Sequence, residues 1–204
     1  MKRTVSAIFL IFLFPFFFGC GDSSTGDSND SGTGNDTQYK QEMRLFVQRI
    51  SSYGKANHPG FIVIPQNGPE LLTVNGDEKG APATDYLAAI DGVGREDLLY
   101  GYEDDNKPTP VSDINYMAAF MDIAEENSVE ILVTDYCWTV SLMGDSYSRN
   151  YEKGYISFAA DHRELDNIPT YPETPYNVNA SDISSLKDAK NFLYLLNPGL
   201  YDTK

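Results

Sequence analysis

Val129-Glu130-Ile131-Leu132-Val133-Thr134-Asp135-Tyr136-Cys137 is the stretch whose reading decides the fold. Val129, Ile131 and Val133 are β-branched and Leu132 adjoins them, so Val129–Val133 reads as a short strand buried on both faces, closed by polar residues. Upstream, Val111, Ile114, Met117, Ala118 and Met121 fall at helical spacing and predict a helix over 111–127. Downstream, a helix over 140–151 and a strand over 155–159 repeat the unit. Toward the amino terminus the alternation continues. Met43, Phe46, Val47, Ile50 and Tyr53 predict a helix over 39–56, stopped by Asn57-His58-Pro59-Gly60. Phe61–Ile64 reads as a strand, Pro69 opens a helical turn, 84–89 a short helix and 89–94 a strand. Ser181 is expected to cap a last helix whose face is Leu186, Ala189, Phe192, Leu193 and Leu196. Helix and buried strand in alternation mean an α/β domain with a parallel sheet of about four strands. A closed (β/α)8 barrel takes eight strands and about 250 residues, so the repeats fit an open doubly wound sheet or part of a TIM-like barrel.

Such sheets keep their sites at the carboxyl ends of the strands. Here those ends carry Gln66-Asn67, Glu96, Asp135 and Asp161. Tyr100, Tyr102, Tyr136 and Trp138 follow the strand-end acids, as rings that stack on sugars would.

The chain of 204 residues has a formal net charge of −15. That balance excludes nucleic acid as a partner, because phosphate binding needs a basic stripe. With 2 Cys there is no disulfide framework. Lys2 and Arg3 precede a run of apolar residues, Ala7–Phe18, too short to span a membrane and of the length of a signal h-region. The run ends in Gly19-Cys20-Gly21, similar to a bacterial lipoprotein signal with Cys20 as the lipidated residue. Residues 1–20 are therefore expected to be a lipoprotein signal peptide. Residues 21–37, made only of Gly, Asp, Ser, Thr and Asn, are expected to be a disordered tether, and 38–204 the folded domain. The expected location is the cell envelope of a bacterium, on a lipid anchor.

Much chemistry is absent. Gly92-Val93-Gly94 continues to Asp97 where a dinucleotide loop needs its third Gly, and no Walker loop, GxSxG or CxxC is present. His58 and His162 are the only histidines, so neither a zinc site nor a Ser/His/Asp triad is expected. Cys137 reads as a buried small residue. No cofactor and no metal are called for. Carboxylates remain, and glycoside hydrolysis needs two of them.

Five stretches carry a family resemblance: Phe46-Val47 with Ile50; Pro59–Gly68 (PGFIVIPQNG) with Glu70-Leu71-Leu72; Ile90–Tyr100 (IDGVGREDLLY); Leu132–Cys137 (LVTDYC); and Asp188–Leu195 (DAKNFLYL). Together they resemble the bacterial and archaeal branch of glycoside hydrolase family 114, related to endo-α-1,4-polygalactosaminidases. The resemblance implies a (β/α)8 barrel, here its C-terminal half, that hydrolyses a galactosamine-containing polysaccharide. It implies a general acid/base at a Glu five residues after an Asp, a spacing matched by Asp91 and Glu96. The family's nucleophilic Asp lies on an earlier strand, and a polar tether takes its place here. Asp135 is then the geometric substitute and Asp91 a supporting carboxylate, with Gln66, Asn67, Tyr100 and Tyr136 lining a saccharide groove. A half sheet exposes its edges and inner face, so a homodimer or a complementary half-barrel is expected. The alternatives are a non-catalytic glycan-binding lipoprotein and an inactive fragment of a split hydrolase.

Overall fold

A computed structural model describes residues 8–12, 33–173 and 176–196. Its elements are β1 (Ile8–Phe12), α1 (Thr33–Asn57), β2 (Ile62–Gln66), α2 (Thr84–Leu87), β3 (Gly92–Glu96), α3 (Val111–Glu126), β4 (Glu130–Tyr136), α4 (Val140–Glu152) and β5 (Ile156–Ala160), with 3-10 turns at Pro69–Leu72 and Leu186–Asp188. Every strand pair is parallel and the sheet order is β1-β2-β3-β4-β5. β2 to β5 are the four-strand parallel sheet expected from the sequence. β1, from within the apolar run Ala7–Phe18, pairs alongside β2. Cys20 and its lipidation lie outside the described residues. Among the described residues no helix is long and apolar enough to cross a membrane.

The sheet has two faces, separated by the strand's two-residue period. Val63, Val93, Ile131, Val133 and Ala159 face the helices, where they meet Val47 of α1, Phe120 and Met121 of α3 and Met143 of α4 in the main core. Ile64, Leu132 and Ile156 face the other way. The register sets Gly94 beside Leu132 and Glu96 beside Thr134, so Gly92, Gly94 and Glu96 belong to this inner face.

α1 begins at Thr33, so residues 33–37 are helical rather than part of a tether, and Asp36 pairs with Lys40 one turn on. Its buried face is also rotated from the expected one. Met43, Val47 and Ile50 pack on the core as expected, but Phe46 and Tyr53 are exposed and Arg44 and Ser51 are buried. Arg44 compensates for its burial by donating Nε to the Leu71 carbonyl at 2.9 Å and Nη2 to that of Thr73. Gly54 is required where it stands, because a Cβ there would lie 2.4 Å from the Phe61 ring.

The expected last helix is absent. After the Leu186–Asp188 turn, residues 189–196 have no regular secondary structure. Leu186, Ala189 and Phe192 pack on Ile62, Ile64, Leu132 and Ile156, and Tyr194 packs with Tyr136 and Phe158. A helix would keep Leu186, Ala189 and Phe192 on one face but turn Tyr194 away from the sheet. The irregular course puts Leu186, Phe192 and Tyr194 on it, and the apolar area removed from water outweighs helix propensity. This segment covers the inner face that a half sheet was expected to expose.

Asp91 lies just before β3, at the amino-terminal rim. Its Oδ2 accepts from the Val63 N–H at 2.8 Å and its Oδ1 from Lys55 Nζ at 3.0 Å. Glu96 is five residues along an extended chain, about 16 Å away. Asp91 therefore ties β2 to β3 and α1 and cannot share a substrate bond with Glu96. Asp91→Ala is expected to lower stability by about 1–2 kcal/mol, chiefly by stranding the Val63 N–H. The corresponding fall in Tm, about 2–8 °C, is read by calorimetry.

Candidate functional site

β2 ends at Gln66 and the chain turns at once. Asn67 (φ 59°) and Gly68 (φ 64°) are both left-handed, a conformation Asn tolerates better than other side-chain-bearing residues. The turn lets Asn67 reach across to β3. Its N–H donates to the Gly94 carbonyl at 2.7 Å, its Nδ2 to Glu96 Oε2 at 2.6 Å, and its Oδ1 accepts from the Glu96 N–H at 3.1 Å. From the other side Tyr136, last residue of β4, donates its hydroxyl to Glu96 Oε1 at 2.6 Å. Glu96 is thus half-buried at the carboxyl rim of the inner face, each oxygen held by a neutral donor. Each oxygen keeps a second lone pair for a proton or a ligand.

Tyr136 is itself fixed. Burial, reinforced by the neighbouring Glu96 charge and the hydrogen bond to it, raises its hydroxyl pKa far above the ordinary phenol range, so it remains a donor. The Arg163 guanidinium lies over its ring, 4.0 Å from the centroid. Arg163, just after β5, donates Nη2 to Asp97 Oδ1 at 2.9 Å and to the Gly101 carbonyl at 2.8 Å, and Nε to Asp105 Oδ1 at 2.7 Å. Burial works against its charge, but the bonds to Asp105 and Asp97 outweigh it and raise its pKa. Asp97, left-handed at φ 60°, is shifted upward by burial, partly offset by Arg163. Arg163 spends its charge on Asp97 and Asp105, and among the hydrogen bonds and ion pairs of the described residues none joins Glu96 to a cation.

A cleft of about 370 Å³ opens at the same rim past Tyr136, Trp138, Asp161, His162 and Arg163. Tyr136 serves both, its ring lining the cleft and its hydroxyl holding Glu96. Trp138 is 56% exposed and Tyr102 48%, so two aromatic faces stand free at the rim. His162 Nδ1 lies 2.9 Å from Asp161 Oδ1, and that bond raises its pKa. An NMR titration is expected to place His162 above 6.5, with Asp161→Asn bringing it back. By linkage, the small stabilisation from this pair is complete below the unfolded value and lost as pH rises through the folded one.

Besides Asp91, two expected site residues lie elsewhere. Asp135 precedes Tyr136 by one residue and so faces the helices. It is 0% exposed and accepts from the N–H groups of Leu99 (2.8 Å) and Tyr100 (3.2 Å), from Ser146 Oγ (2.7 Å) and from Asn150 Nδ2 (3.2 Å). Burial raises its pKa and these four bonds oppose the shift. Asp135 fastens the β3–α3 loop to β4 and α4 and has no opening to a substrate. Tyr100 donates its hydroxyl to Asp145 Oδ2 at 2.6 Å, on α4, and its ring sits in the main core. Gln66 does face inward and is 5% exposed. Cys137 is buried, and burial pushes its thiol up to about 12, which removes it as a nucleophile. Sequence reasoning missed Arg163, Asp97 and Tyr194. The one available signal for Arg163 was its position two residues after the strand-end Asp161.

No family model matches the chain. It is 30% identical over 141 residues to an uncharacterized protein of Methanocaldococcus jannaschii, the alignment covering 64% of this chain and 38% of that protein. It is 26% identical over 129 residues to an uncharacterized protein of Deinococcus radiodurans, covering 63% and 38%. The chain therefore spans less than half the length of the curated relatives it matches.

Proposed function

We propose that the chain carries the acid/base side of a glycoside hydrolase site in a partial TIM-like (β/α)8 architecture, with Glu96 as the general acid toward a galactosamine-containing polysaccharide. The observation that carries this reading is the Glu96 carboxyl at the inner carboxyl-terminal rim, held by Asn67 and Tyr136 and joined to no cation among the described residues. In the reaction, protonated Glu96 gives its proton to the glycosidic oxygen as the C1–O bond breaks and the bonding pair leaves with that oxygen. Asn67 and Tyr136 hold the carboxyl in place, and the exposed Trp138 and Tyr102 give sugar rings a stacking surface. Net charge −15 suits a cationic polymer.

Hydrolysis needs a second carboxylate. Asp97 is committed to Arg163, Asp135 is sealed and Asp91 is at the opposite rim. In this proposal a second copy of the chain supplies it, on a protein exported and anchored through Cys20, with β1 removed on maturation. The same observation favours a second reading, a glycan-binding lipoprotein without turnover. Incubation of the full chain with de-N-acetylated polygalactosamine separates the two: release of new reducing ends supports the hydrolase, and saturable binding without release supports the binding module. Neither binding nor release would refute both.

A further inference from the structure

Between the sheet's inner face and the segment that crosses it lies a cavity of about 460 Å³. Ile64, Leu132 and Ile156 form one wall, and Leu186, Ala189 and Phe192 the other. No charged side chain lines it among the described residues. Gln66 is the polar group at its sheet wall. It is 5% exposed, and its Nε2 is buried with no hydrogen-bond partner among the described residues. A buried donor left unpaired is uncommon in a folded chain and calls for an explanation. Glycine at the neighbouring position 94 leaves the amide its place: a Cβ there would lie 1.8 Å from Gln66 Oε1 and would push the side chain aside.

We propose that this cavity binds a neutral acyl group, an aliphatic amide or ester whose carbonyl oxygen accepts a hydrogen bond from Gln66 Nε2. The aliphatic walls take an alkyl chain. The unpaired N–H selects an acceptor. A carboxylate would enter with no cation to neutralise it, and an amine with no anion, so both charged relatives lose to the neutral carbonyl. The proposal is independent of the role of Glu96.

The test is calorimetric titration of the full chain with octanamide, sodium octanoate and octylammonium chloride at pH 8, with the Gln66 side-chain amide followed by NMR. Saturable octanamide binding that shifts the Gln66 NH₂ pair is expected, with the two charged probes about tenfold weaker or more. Gln66→Leu, which removes the donor, and Ala189→Phe, which fills the opposite wall, should each weaken octanamide about tenfold or more at unchanged Tm. Equal affinity for amide and acid, no saturable octanamide binding, or undiminished octanamide affinity in Gln66→Leu would overturn the proposal. If Gln66→Leu does not fold, the three-probe comparison on the unaltered chain decides.

Discussion

Asp135→Ala is expected to lower the melting temperature by roughly 6–20 °C, because several buried donors would lose their common acceptor. Leu99 N–H, Tyr100 N–H, Ser146 Oγ and Asn150 Nδ2 all converge on a carboxylate that is 0% exposed. Each stranded buried group costs about 1–3 kcal/mol. Ser146 can turn its hydroxyl elsewhere, which brings the total to about 3–5 kcal/mol, and at about 2–4 °C per kcal/mol for a domain of this size the shift follows. Asp135→Asn is expected to cost less, since its amide oxygen still accepts from the two backbone N–H groups while its Nδ2 faces Asn150. The measurement is calorimetric unfolding of both variants. An Asp135→Ala protein that melts like the parent yet loses saccharide hydrolysis would return this acid to the catalytic role and contradict its placement among the helices.

Glu96→Gln is expected to act on the reaction and spare the fold. The substitution keeps the side chain's length, and its amide oxygen still accepts from Asn67 or Tyr136, so Tm should stay within about 2 °C. In the proposed hydrolysis it removes the group that would deliver the proton. Loss of a general acid typically costs about 10²–10⁴ in kcat, with saccharide affinity retained because the neighbouring donors and rim aromatics are untouched. The contrast is diagnostic: Asp135→Ala lowers the melting temperature and Glu96→Gln does not.

The strands were legible in the sequence because runs such as Val129–Val133 are apolar at consecutive positions. For the same reason the sequence was silent about their faces. A strand buried on both sides carries no alternation to fix which parity points where. Asp135 and Tyr136 are adjacent and both polar at one end, and only the register, with Tyr136 opposite Ala160 and Glu96 opposite Thr134, shows that Tyr136 turns inward and Asp135 outward. Gln66, Asn67 and Glu96 were found by the strand-end rule, which asks for position alone. β3 was expected at 89–94 and runs Gly92–Glu96. Ile90 goes instead into the core beneath α1, and Asp91 turns its carboxyl onto Val63. Arg163 had no local signature, since its partner Asp97 is 66 residues away. The tail misled because the spacing of Leu186, Ala189, Phe192 and Leu196 fits one helical face, while the inner sheet surface that competes for those side chains becomes visible only once the sheet is assembled.

The central claim is that the carboxyl held between Asn67 and Tyr136 protonates a glycosidic oxygen. Its most direct test is the rate at which the full chain, and its Glu96→Gln variant at equal concentration, produce reducing ends from de-N-acetylated polygalactosamine. The account predicts release by the parent chain and a drop of about 100-fold or more in the variant. Equal rates from the two proteins would contradict it.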